Sequence, residues 1–121
     1  MRGRFDAYVY EWLPPLIGGA DKAPVFDAGR MIPVRFTVRS SDGTRVRDDS
    51  VIVDLTDSDG HLATAPRTVS TTPAEGVLIK DGTYLASLST RGLGPGNYVL
   101  RVRFDSIRLA GEFSLGISIR Q

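Results

Sequence analysis

Apolar and polar residues alternate with a period of two along most of the chain, the spacing that sends successive side chains to opposite faces of a strand. The run Phe5 to Trp12 predicts an aromatic first strand with Tyr8, Tyr10 and Trp12 on one face. Between Arg30 and Arg39, Ile32, Val34, Phe36 and Val38 are predicted to point inward, with Arg35, Thr37 and Arg39 outward. Pro33 inside that run predicts an edge strand or the first residues of a strand, because proline cannot donate to a ladder. Val51, Val53 and Leu55 form the next inward row. Val77 to Ile79 and Thr83 to Ser89 flank Asp81-Gly82 and read as a hairpin, with Tyr84, Ala86 and Leu88 inward. Asn97 to Phe104 places Tyr98, Leu100, Val102 and Phe104 inward and Arg101 and Arg103 outward. A long last strand puts Leu109, Phe113, Leu115, Ile117 and Ile119 on a shared face.

Turn residues separate these runs: Ser40-Ser41-Asp42-Gly43, Asp57-Ser58-Asp59-Gly60, Gly92 to Gly96 and Asp105-Ser106. Leu13 to Pro24, with Pro14-Pro15 and Gly18-Gly19, reads as a loop, and His61 to Ala74 as a loop or short edge strand. About seven strands at spacings of roughly 8–15 residues, with no period of 3.6, predict an all-β immunoglobulin-like antiparallel β-sandwich. A chain of 121 residues is the size of one domain, so residues 1–121 are expected to share one core. Composition agrees. Helix-favouring Glu and Lys are confined to Glu11, Glu75, Glu112, Lys22 and Lys80, while 13 glycines and 7 prolines punctuate the chain.

The net charge of +1 supplies no global field to attract nucleic acid or an anionic membrane, and neither is expected as a partner. Cysteine is absent, which removes disulfides and thiolate metal sites. Met1-Arg2-Gly3-Arg4 leads into a strand pattern and not an apolar leader segment, so any export signal is expected on a larger parent protein. No apolar stretch is long enough for a membrane-spanning helix.

Three segments resemble the PxKF-type immunoglobulin-like domains of bacteria and archaea. Phe26-Asp27-Ala28-Gly29-Arg30-Met31-Ile32-Pro33-Val34-Arg35-Phe36 is similar to their F-x-A-G-x-x-I/V-P-V-K-F strand, with Arg35 in place of the motif lysine. Asp81-Gly82-Thr83-Tyr84 followed by Leu88-Ser89-Thr90-Arg91-Gly92-Leu93 resembles the later Y-x-x-x-L-x-T-K-G-L segment. Gly94-Pro95-Gly96-Asn97-Tyr98-Val99-Leu100-Arg101-Val102 resembles the x-P-G-x-Y-x-L-x-V strand. The resemblance implies an extracellular or cell-surface module near the end of a larger secreted protein, with structural or adhesive work among neighbouring domains. Physically the same motifs are fold signals. Pro95-Gly96 suits the centre of a type II turn, and Tyr98 just after it suits a tyrosine corner whose hydroxyl ties a loop.

Candidate chemistry is sparse. His61 is the sole histidine, and no Gly-x-Ser-x-Gly elbow offers it a nucleophile, so no catalytic site is predicted. Asp57 and Asp59 begin a sequence like a calcium loop, with Asp54 and Asp48-Asp49 nearby in the chain. Position five is His61 and no glutamate closes the loop, so a solvated turn is the simpler reading. Tyr8, Tyr10 and Trp12 are either a platform for stacking sugar rings or part of the core. Arg35, Arg39, Arg101 and Arg103 would form one basic face for an acidic glycan if their strands were neighbours. The expected function is therefore a non-catalytic structural or interaction module, requiring no cofactor beyond a possible calcium ion. The alternatives are a carbohydrate-binding module on the aromatic stripe and a surface subunit that self-assembles through its edge strands.

Overall fold

The computed structural model describes residues 2–5, 7–14, 16, 23–107 and 109–121. Much of the predicted loop, including Pro15, Gly18, Gly19 and Lys22, lies outside the described residues. Nine strands build two sheets among those described: β1 (Arg2–Phe5), β2 (Tyr8–Trp12), β3 (Val25–Asp27), β4 (Met31–Arg39), β5 (Ile52–Asp57), β6 (Leu78–Lys80), β7 (Thr83–Ser89), β8 (Gly96–Asp105) and β9 (Ala110–Arg120). One sheet runs β1-β2-β4-β7-β6 and the other β3-β9-β8-β5. Setting aside β1 and β3, this is the constant-type immunoglobulin arrangement, four strands against three.

The inward rows pack as the alternation predicts. Ile32, Val34, Phe36 and Val38 of β4, Tyr84, Ala86 and Leu88 of β7, Val53 and Leu55 of β5, and Leu100, Val102 and Phe104 of β8 are buried in one core. Phe113, Leu115 and Ile117 close it from β9. Within one sheet Phe36 stacks on its ladder partner Tyr84 at 4.8 Å, and Tyr84 meets Phe104 of the other sheet edge-on at 5.7 Å. The β6–β7 hairpin pairs Lys80 with Thr83 across a two-residue turn. Asp81 (φ 53°) and Gly82 (φ 76°) both take the positive φ that a type I′ turn demands.

Three expectations are corrected. Phe5 to Trp12 is not one strand: β1 and β2 pair as an antiparallel hairpin, Phe5 with Tyr8 and Gly3 with Tyr10. This fold-back and the short β3 raise the strand number from about seven to nine. The sandwich is not wholly antiparallel either, because β3 runs parallel to β9. Of the two placements open to Pro33, the structure shows the second: it is the third residue of β4, which lies between β2 and β7. Proline is tolerated there because it sits near the strand's start, while β2 reaches only residues 36–39. Opposite Pro33, the Ser87 N–H donates to the Pro73 carbonyl instead of to β4, so this pair exchanges no ladder bond.

Candidate functional site

The aromatic stripe on β2 turns toward the core, with Trp12 buried in it and Tyr8 and Tyr10 half-buried against it. Trp12 is 1% exposed, and its indole meets Phe36 and Phe113 edge-on at 5.5 and 5.3 Å. Tyr10 stacks on Phe113 at 4.0 Å, the two ring planes nearly parallel. Tyr8 is half-buried against the same core. The fold-back of β1 explains the approach: Gly3 lies under the Tyr10 ring, where a Cβ would come within 2.3 Å of it. A sugar ring needs an open aromatic face, and Trp12 has none to offer.

The four arginines do not form one basic face. Arg35 and Arg39 lie on β4 and Arg101 and Arg103 on β8, in different sheets. On the outer side of the β8 sheet, Asp54 pairs with Arg101 in the ladder and is fully buried. Arg101 donates to both its carboxylate oxygens, Nε to Oδ1 at 2.7 Å and Nη2 to Oδ2 at 2.9 Å, and Arg103 adds a bond of 3.2 Å. The Asp54 hydrogen bond raises the Arg101 pKa further above its ordinary value, fixing its charge. A planar guanidinium on a carboxylate satisfies both groups, which is what permits the burial of Asp54.

Asp57, Asp59 and His61 do come together, with their potential ligand atoms within 4.8 Å of one another. The Asp57 carboxylate accepts the backbone N–H groups of Asp59 (2.9 Å) and His61 (3.0 Å), and Gly60 (φ 84°) completes the turn. Two carboxylates and an exposed imidazole could offer a cation only part of its shell, since calcium takes six to eight oxygens. The other acids near in sequence contribute nothing: Asp54 is held by the arginines, and Asp48 lies beyond the opposite end of β5.

That opposite end carries a polar network that alternation did not reveal. Tyr84 Oη, buried, donates to the Val46 carbonyl at 2.7 Å and accepts the Asp48 N–H at 3.0 Å. The Asp48 carboxylate accepts the Ser50 N–H (2.9 Å) and the Ser106 hydroxyl (2.7 Å). Ser106 Oγ in turn accepts the Leu109 N–H at 2.9 Å, and Ser50 Oγ accepts the Asp105 N–H at 3.1 Å. The β4–β5 loop is thereby tied to the β8–β9 turn, whose Ile107 stands fully in solvent. A cavity of about 340 Å³ beside it is lined by Ile52, Arg103, Phe104, Asp105, Gly111 and Glu112. The sequence held one signal for this network: a Tyr predicted on an inward row needs a partner for its hydroxyl.

The other end of the sandwich is also tied. Tyr98 Oη donates to the Gly94 carbonyl at 2.7 Å, the tyrosine-corner geometry. Thr90, fully buried, donates to the Arg30 carbonyl at 2.6 Å. Arg120 binds Asp27 at 2.7 Å, and that hydrogen bond lowers the Asp27 pKa. Compared with known families and with curated proteins, the chain matches no family model and no curated sequence.

Proposed function

We propose that this chain is a non-catalytic structural or interaction module of a larger secreted or cell-surface protein. The observation that carries the reading is how its polar side chains are used. Tyr84, Asp48 and Ser106 join the loops at one end, Tyr98, Thr90 and Arg120 fasten the other, and Asp54 locks neighbouring strands. Such bracing suits a body that holds partners or neighbouring domains in fixed relation, because rigid loops lose little entropy when they dock. The resemblance to PxKF-type domains supports the same reading.

Two measurements test it. Antibody labelling of intact cells that express the full-length protein should detect this domain without permeabilisation; detection only after permeabilisation contradicts a surface location. Screening the purified chain against hydrolase and transferase substrates should give no turnover. A turnover abolished by one point substitution that leaves the fold intact would overturn the non-catalytic reading.

A further inference from the structure

The outer face of the five-stranded sheet carries a charge arrangement that the chain's net charge of +1 conceals. Residues directly opposite in a ladder share a face, so the register fixes which side chains meet there. Arg39 of β4 lies opposite Val9 of β2, which lies opposite Arg4 of β1. On its other side Arg39 faces Arg45 of the β4–β5 loop through an isolated bridge. Thr37, the next outward position of β4, lies between Glu11 of β2 and Thr83 of β7, and Thr83 faces Lys80 of β6. Arg35 follows, opposite Leu85. Arg4, Arg35, Arg39, Arg45 and Lys80 therefore stand on one face, and among the described side chains Glu11 is the carboxylate between them.

Arg4, Arg35, Arg45 and Lys80 are exposed and Arg39 is half-buried. Among the described residues none of the five enters an ion pair. The carboxylates that arginines hold, Asp27, Asp49 and Asp54, are engaged with Arg120, Arg47 and the β8 pair. Arg45 donates to the Asp81 carbonyl, which sets its stem over the β6–β7 turn, and Asp42 in the turn after β4 is bonded to Ser40 and Thr44. Thr37, at the centre of the face, is only 2% exposed, and its hydroxyl has no partner among the described residues. A threonine so buried on an outward face lies under longer neighbours, here Arg35, Arg39 and Glu11.

We propose that this face binds an acidic polysaccharide, one that carries carboxylate or sulfate groups along an extended chain. The cations are spread and do not converge on a point. With strands about 4.8 Å apart and about 3.4 Å per residue, the Arg4 and Arg39 backbones are about 10 Å apart and those of Arg35 and Arg39 about 13 Å. A small anion reaches one or two of them, whereas a polymer with an anion on successive sugars meets several. Guanidinium forks suit these groups, each taking a planar oxyanion in paired hydrogen bonds. Base stacking has no support on this face, because Tyr8, Tyr10 and Trp12 turn to the core on the other side of β2. Once an anion draws the arginine stems aside, the Thr37 hydroxyl is a further donor. The inference deepens the module reading above and rests on it for where such a polymer is met.

Titration calorimetry of the full chain with dextran sulfate and polygalacturonate, and with neutral dextran as control, tests it. Both anionic polymers should bind and dextran should not, with affinity falling about tenfold or more between about 50 and 200 mM salt. Arg39→Glu should weaken binding about tenfold. Arg91→Glu makes the same change of charge at an exposed position in the β7–β8 turn and should weaken it about twofold at most. Native Trp12 emission, from the inner side of the sheet, confirms the fold of each variant. No binding by the wild type would overturn the proposal, as would equal losses in the two variants. Binding at least as tight to single-stranded DNA or to phosphatidylserine vesicles, at equal anion concentration, would overturn it too. Lost binding with surface labelling intact removes this inference alone, and labelling only after permeabilisation with binding intact removes the surface reading alone.

Discussion

Tyr84 shows how much a single polar atom decides in this core. Its ring stacks on Phe36 while its hydroxyl holds the Val46 carbonyl and the Asp48 N–H, both in the loop after β4. Tyr84→Phe keeps the ring and strands those two backbone groups, and should cost about 1–3 kcal/mol. Urea unfolding should show the loss as a lower midpoint at unchanged slope. Asp54→Ala removes a buried carboxylate from two arginines that retain some access to water, and about 1–3 kcal/mol is expected there as well. Asp42 is a different kind of residue, fully exposed and bonded to the Ser40 hydroxyl and the Thr44 N–H. The Ser40 bond, with help from Thr44, lowers its pKa from 3.8 to about 2. The stabilisation from ionised Asp42 is thus complete above its unfolded value near 3.8 and is lost as the pH falls through about 2. Carboxyl NMR should find an Asp42 midpoint near 2, rising toward 3.8 in Ser40→Ala; an unchanged midpoint would remove Ser40 as the cause.

At the level of elements, turns and close approaches impose the strictest demands. Gly82 occupies the second position of the β6–β7 turn, where an added Cβ also comes within 2.9 Å of the Arg45 side chain. That side chain donates to the Asp81 carbonyl at 3.0 Å. Gly82→Ala pays for positive φ and displaces Arg45, so a loss of about 1–2 kcal/mol is expected, visible as a lower thermal midpoint. This hairpin was legible in the sequence because Asp-Gly between alternating runs has one favoured geometry. The inward rows of β4, β5, β7, β8 and β9 were legible for a similar reason: burial on one face imposes a period of two. The β1–β2 hairpin was not. Asp6 is the single polar residue between Phe5 and Tyr10, and with no glycine, proline or asparagine beside it the reversal is weakly marked; what permits the close pairing is the absence of a side chain at Gly3 beneath Tyr10. Pro33 left two placements open, and the one that holds, near a strand's start, depends on where β2 stops.

For the whole molecule, the candidate residues of the sequence reached very different places. The arginines were correctly predicted to point outward, but which sheet each strand joins is set by long-range pairing that a local pattern does not encode. The ties at the two ends, Asp48 to Ser106 and Asp27 to Arg120, span 58 and 93 residues of chain, so no short motif announces them. Asp57, Asp59 and His61 were legible because one turn holds all three. The residues best suited by chemistry to bind a ligand, the aromatics of β2, are buried in or packed against the core of a braced sandwich. Trp12 is the only tryptophan, so its fluorescence reports on that burial without labelling. Its emission should be blue-shifted, resist acrylamide quenching and stay unchanged when soluble polysaccharide is added. Emission like that of free indole in water, quenched readily and shifted by a glycan, would contradict that burial.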